Sequence, residues 1–556
     1  MSSNNSIPGS SLEKPRDIVV IGAGFSGLYL IYKLRGAGRD VTVLESGSDV
    51  GGTWYWNRYP GARCDVESVQ YSYSFDEDLQ QEWEWTERFA TQPEILRYIN
   101  HVSDRFDLRR SVIFDTRVVS AHFHDAENVW EVSTEAGEKL FSRYLITAVG
   151  CLSASRIPDI KGLNSYRGKV YHTGRWPHEG VDFNGMRVGV VGTGSSAIQA
   201  IPEIAKQATH MHVFQRTPNF SLPAHNTPLT PEKVQYWKSQ YAALRKAARE
   251  EYPSGTIYDL PSKSAHEADD EERKQEFARR WAMGGNELAY AYNDLTRDQR
   301  ANDMVAEFVR DRIREIVKDP ELAETLCPYD YPIFTKRICI DTDYYATFNR
   351  DNVTLVDLRK GGIEEITETG IRTVDGNFDF DAIVFATGFD AITGPLTSMD
   401  IRGKGGQRLA EKWAHGPRTY LGLMTAGFPN LFTITGPGSP SVLSNMIVSI
   451  EQHVDFVSEC LASLKDKGAD RIEANCDAED AWVAKVNEVA SQTLFPKAAS
   501  WYMGANIPGK ARVFMPFMGV HTYRKICNEI VADNYRGFDI RNVNADQSTD
   551  RSGKAA

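Results

Sequence analysis

Two sets of closely spaced glycines, each followed by one charged residue, are the part of this chain whose types and spacing can do chemistry. Gly22-Ala23-Gly24-Phe25-Ser26-Gly27 follows an apolar β-branched run, and the next such run, residues 41–44, ends in Glu45. Gly192-Thr193-Gly194-Ser195-Ser196-Ala197 follows a second apolar run, and residues 211–215 then end in Arg216, with Thr217 after it. Where a strand turns into a helix through such a loop, the missing Cβ atoms let a pyrophosphate approach the free N–H groups at the positive helix end. Glu45 and Arg216 both sit at the roughly 20-residue offset that such units use; an acid there takes ribose hydroxyls, and an arginine suits a 2′-phosphate. The first unit therefore reads as an FAD site and the second as an NADPH site. A chain with both can pass electrons from nicotinamide to flavin.

The elements that must position these residues follow from the pattern. The fold class is α/β: two Rossmann-like dinucleotide-binding domains, for FAD and NADPH, with a helical insertion in the NADPH domain. Residues 1–14, polar and rich in Ser and Asn, read as a disordered leader, and 542–556 as a polar tail. The FAD-binding domain spans 15–150 and resumes over 386–541. The NADPH-binding domain spans 151–224 and resumes over 331–385. Between its parts, 225–330 is dense in charge and poor in strand signals, and Met304, Val305, Phe308, Val309, Ile313, Ile316 and Val317 follow helical spacing.

At 556 residues with 63 basic and 75 acidic side chains, the net charge of −12 makes nucleic acid and anionic membranes poor partners. No run of about 18 apolar residues predicts a membrane span, and the N-terminus lacks the apolar core of a signal peptide. Seven widely spaced cysteines form no C-x-x-C pair, which fits reduced thiols in the cytoplasm and argues against a disulfide reductase. No Cys/His cluster predicts a metal. Oligomeric state is left between monomer and loose dimer.

Between the two units lies Tyr166-Arg-Gly168-Lys-Val-Tyr-His172-Thr-Gly-Arg-Trp176-Pro177. It resembles the fingerprint F-x-G-x-x-x-H-x-x-x-W-P of type I Baeyer–Villiger monooxygenases, with Tyr166 in place of Phe. The resemblance runs from about residue 15 to 540 through Gly51-Gly52-Thr53-Trp54, Tyr59-Pro-Gly61-Ala-Arg63-Cys64-Asp65, Thr335-Lys336-Arg337, Gly436-Pro-Gly438-Ser-Pro440 and Ser500-Trp501-Tyr-Met-Gly504-Ala-Asn506. It implies an FAD-containing, NADPH- and O2-dependent enzyme that converts ketones to esters or lactones through a C4a-peroxyflavin. The alternative is a flavin monooxygenase oxidising S or N atoms, a class that usually lacks the Trp-Pro ending.

The resemblance also implies roles. Arg337 is the catalytic cation, and a guanidinium is suited to that task because it never loses its proton. Asp65 is its partner on the flavin side. Lys336 shares the NADPH phosphate with Arg216, and Trp501 joins the NADPH set; a solvated charge pair is the competing reading of Lys336 and Arg216. Gly52, Thr53, Trp54, Tyr71 and Met446 join the FAD set. Trp54, Tyr59 and Tyr71 could pack on the flavin or serve as plain core aromatics. His172 and Trp176 couple domain movement to turnover or are packed structural residues in the interdomain linker. Cys151, Leu152, Ser441, Val442, Leu443, Ser444 and Met515 form the ketone pocket, roomy and apolar; relatives carry a polar amide where this chain has Cys151.

Overall fold

The computed structural model describes residues 10–513 and 515–543. Residues 1–9 of the expected leader and 544–556 of the expected tail lie outside the described residues. Of the leader's remainder, Ser10 is placed, its hydroxyl accepting from the Phe141 N–H at 2.8 Å.

Two sheets, the first mixed and the second all parallel, carry the two glycine loops. In the first, Arg16–Ile21 pairs with Val41–Leu44 on one side and Lys139–Thr147 on the other. Val118–His124 and Val129–Thr134 extend it antiparallel, and Leu431–Thr433 returns from far along the chain to pair with Lys139–Thr147. In the second, the order is Val353–Asp357, His210–Gln215, Arg187–Val191, Ala382–Phe385 and Lys169–His172, all parallel. Val41–Leu44 and Ala382–Phe385 are buried at every position, as continuous apolar runs in sheets covered on both faces should be.

Each sheet feeds a helix through its glycines: Phe25–Gly36 after the first loop and Ser195–Ala205 after the second. Gly22 and Gly192 hold equivalent places, at φ 104° and 114°. A Cβ would come within 2.6 Å of the Ala148 carbonyl at Gly22 and 2.5 Å of the Ala386 carbonyl at Gly192. Each loop thus passes directly over the end of a neighbouring strand.

From 231 to 326 the chain is helical, with Pro231–Glu250, Asp270–Met283, Gln299–Ile316 and Pro320–Leu326. Gln299–Ile316 buries Val305, Val309 and Ile313 on one stripe, as their spacing predicts. The last three of these helices pack into the same core as the second sheet, whereas Pro231–Glu250 packs through Tyr241 and Trp237 into the core of the first. The chain then returns as Cys339–Asp341, which pairs in parallel with Ser221–Pro223. That short pair joins the segment after Arg216 to the segment after Arg337.

Candidate active site

At both helix starts the cap residue is a glycine whose neighbours offer no side-chain cap and no acid in the first turn. Neither positive helix end is neutralised by the protein, which suits an anion. Gly52 backs the first loop, and a Cβ on it would press the Gly24 Cα at 2.9 Å. Glu45 is buried, accepting from the Ala23 and Gly47 N–H groups at 2.7 Å each, and burial raises its pKa. Phe25 and Ser26 are buried, with Tyr71 edge-on to Phe25 at 5.6 Å. Thr53 opens the short helix Thr53–Trp56, from which the Trp54 Nε1–H donates to the Tyr71 hydroxyl at 3.2 Å.

On the second loop, the Thr193 hydroxyl donates to the Thr217 carbonyl at 2.9 Å, and Ser195 Oγ lies 3.4 Å from Cys339 Sγ. Arg216 is exposed. Lys336 Nζ sits 4.0 Å from the Tyr331 ring centre. Burial lowers the Lys336 pKa, and the Arg216 charge adds to that against the pull of Asp330. The segment 59–63 abuts this helix: the Tyr59 hydroxyl donates to Gln199 Oε1 at 2.8 Å, and Gln199 Nε2 donates to the Arg63 carbonyl at 3.1 Å.

Arg337 and Asp65, 272 positions apart, form a bidentate pair: Nε to Oδ2 at 2.7 Å and Nη2 to Oδ1 at 2.5 Å. Nη1 donates to the Val442 carbonyl at 2.8 Å. Burial opposes the charge on Arg337, but Asp65 and the adjoining Tyr502 offset it and leave its pKa well above the ordinary value. Both side chains keep about a quarter of their surface, 26% and 25%, because they open onto a cavity of about 320 Å³. Val442, Leu443 and Ser444 line the same cavity.

Cys151, Val442, Tyr502 and Met515 form one apolar cluster, with Leu152, Leu443, Met446 and Trp501 packed against it. Ser441 is buried beside Cys151, whose thiol burial pushes up to about 11. The expected pocket residues are thus brought together, although among them only 442–444 reach the cavity surface. Tyr502, next to Trp501 in a quoted motif, was not singled out by the sequence; nothing in its type separates it from a core tyrosine. Nor did any periodicity mark Thr256, Tyr258, Asn286 and Tyr290, which line the cavity from the helical segment.

His172 does not sit in a free linker. It ends the edge strand Lys169–His172 of the second sheet, and its Nδ1 accepts from the Gly174 N–H at 3.0 Å. Burial lowers its pKa, and with Nδ1 accepting, the neutral ring carries its proton on Nε2. Trp176 is buried against Tyr171 and Phe183, and Pro177 follows it at the turn. The Tyr166 hydroxyl donates to the Phe380 carbonyl at 2.9 Å, and its ring covers Gly168 so closely that a Cβ there would lie 2.3 Å from the hydroxyl.

A pyridine nucleotide-disulphide oxidoreductase family profile matches residues 19–252. Over 536 residues, the chain is 42% identical to a Baeyer-Villiger monooxygenase of Pseudooceanicola batsensis, covering 96% of this chain and 97% of that one. This chain belongs to the Baeyer–Villiger monooxygenases. Solved structures agree. Oxidized steroid monooxygenase bound to NADP shares 48% identity at a TM-score of 0.90, covering 95% of this chain and 99% of that one. OTEMO in complex with FAD and NADP shares 41% at a TM-score of 0.91, covering 94% and 99%. The match to the disulphide oxidoreductase profile lies in the dinucleotide architecture: the seven cysteines of this Baeyer–Villiger monooxygenase are all free, and no two stand as C-x-x-C.

Proposed function

We propose that this Baeyer–Villiger monooxygenase uses FAD, NADPH and O2 to convert ketones to esters or lactones, with Arg337 as its catalytic cation. The observation that carries this reading is the Arg337–Asp65 pair opening onto the cavity. FAD, when bound, supplies oxygen activation with electrons drawn from NADPH. Gly22, Gly24, Phe25, Ser26, Gly27 and Glu45 would hold it, with Gly52, Thr53, Trp54, Asp65, Tyr71 and Met446. The uncapped helix end and the Gly24–Gly52 approach fit its pyrophosphate. Gly192 to Ala197, Arg216, Thr217, Lys336, Arg337 and Trp501 would hold NADPH, and the cations Arg216 and Lys336 fit a 2′-phosphate.

Arg337 spends three donors on Asp65 and the Val442 carbonyl, which fixes its plane. Of its two remaining N–H groups, one faces the adjoining Tyr502 hydroxyl, which leaves a donor for negative charge that develops on oxygen in the cavity. Asp65 keeps the guanidinium in place and tunes it. The Ser441–Leu443 turn, tied to Arg337 through Val442, places the apolar wall on which a ketone would rest. His172, neutral and buried at a strand end, and Trp176 would couple movement of the second sheet to turnover. Among the described residues, no helix is long and apolar enough to cross a membrane. The free thiols support a cytoplasmic enzyme; monomer or loose dimer remains the proposal for its assembly.

Purified protein given NADPH, air and either a cyclic ketone or a thioether tests this reading. Lactone from the ketone supports it; oxidation of the thioether alone would replace it with S or N oxidation.

A further inference from the structure

The cavity that holds Arg337 has a second wall, supplied largely by two connections of the 231–326 layer, one on either side of the helix Asp270–Met283. Tyr258 and Tyr290 stack there, ring centres 4.3 Å apart and 20° between planes. Phe495 and Phe517 add a second aromatic pair at 4.1 Å. Asn286 lies among them with Oδ1 buried and without a hydrogen-bond partner. Thr256, only 3% exposed, also lines the cavity. Native proteins seldom leave an oxygen such as Asn286 Oδ1 unpaired.

This wall is held rigidly from behind. Arg280, 3% exposed, donates to the Glu287 carboxylate at 2.8 Å and to the Asp259 carbonyl at 2.9 Å. Those two residues adjoin Asn286 and Tyr258. One buried guanidinium therefore fixes both the stacked ring and the unpaired amide, so an incoming group meets them already in place.

We propose that Thr256, Tyr258, Asn286 and Tyr290 form a subsite for the part of the ketone remote from its carbonyl, and that this part is a flat ring bearing a hydroxyl group. The inference rests on the ketone-oxidising reading above. The aromatic faces take the ring by stacking, Asn286 Oδ1 accepts from the hydroxyl, and Thr256 donates to its oxygen. A plain aryl ketone fills the same space but leaves Asn286 Oδ1 unpaired, which is the situation in which polar sites discriminate strongly.

The test compares benzylacetone with its para-hydroxy analogue on the FAD-loaded enzyme. The hydroxylated ketone should have a kcat/KM at least about tenfold higher. The Thr256→Val/Asn286→Leu variant should bring that ratio near unity. Thr256→Val alone, nearly isosteric, should lower it severalfold, which answers the question even if the double variant fails to fold. Equal kcat/KM for the two ketones in the unaltered enzyme, or a ratio that survives the substitutions, would overturn the subsite. So would an increase in KM for NADPH that is the same with both ketones, since the wall would then serve the nicotinamide. Absence of ester from every ketone, with thioether oxidation intact, would instead be failure of the function on which the subsite depends.

Discussion

Arg337 and Asp65 lie 272 positions apart and meet in two hydrogen bonds on the cavity wall. Removing the guanidinium takes away a positive charge that a carboxylate holds in place there. Arg337→Ala should keep bound FAD and still oxidise NADPH, but release hydrogen peroxide in place of ester; loss of one such donor costs about 2.7–4 kcal/mol of transition-state stabilisation. Arg337→Lys should rescue little, because an ammonium cannot reproduce the planar fork. Asp65→Ala should show a milder form of the defect. Ester and peroxide yields per NADPH check all three. Arg216 has a different expected signature. Arg216→Ala should raise KM for NADPH far more than for NADH, by about 1.5–3 kcal/mol for the lost charge-assisted bond. Equal kcat/KM for the two cofactors in the unaltered enzyme would remove Arg216 from the phosphate site.

The two glycine loops are superficially alike, yet they differ at their last position. A Cβ on Gly27 would lie 2.0 Å from the Gly22 carbonyl oxygen, whereas the second loop carries Ala197, fully buried, at the matching place. Gly27→Ala should therefore force the first loop apart and yield protein that is colourless or insoluble, at a cost of 1–3 kcal/mol or more, roughly that of an overpacked core. Ala197→Gly should stay yellow and lose only about 1 kcal/mol of helix stability. Flavin absorbance of the purified variants separates the two outcomes. These loops, the strands before them and the helix Gln299–Ile316 were legible in the sequence because each rests on local periodicity. The place of Lys169–His172 was not: its partner Ala382–Phe385 lies more than 200 residues on, and nothing local announces that pairing. The second cavity wall was equally hidden, since Tyr258 and Tyr290 differ in no local respect from core aromatics. Arg337 and Asp65 were legible only through the surrounding motifs; neither Thr-Lys-Arg nor Arg-Cys-Asp alone predicts their meeting.

At the scale of the whole molecule, the strands Ser221–Pro223 and Cys339–Asp341 tie the two parts of the NADPH-binding unit together across its helical insertion, and Asp341 sits at that joint. It accepts from the Ser221 hydroxyl and from the Tyr344 N–H. Burial raises its pKa from 3.8 to about 6 despite those bonds. The native state therefore holds a proton that the unfolded chain releases between those values. The resulting stabilisation is complete below about pH 4 and gone once the pH passes about 6, a change on the order of 3 kcal/mol. Asp341→Asn should remove this dependence, so thermal melts from pH 4 to 7 should show a shallower loss of stability than the unaltered protein. Parallel curves would mean that Asp341 ionises as freely in the fold as in the open chain. The central claim, that the two nucleotide units together insert oxygen beside a ketone carbonyl, is tested most directly by turnover under oxygen-18 gas. The account predicts one labelled oxygen in each ester and about one ester per NADPH consumed. Ester lacking the label, or NADPH consumed with no ester from any ketone, would contradict it.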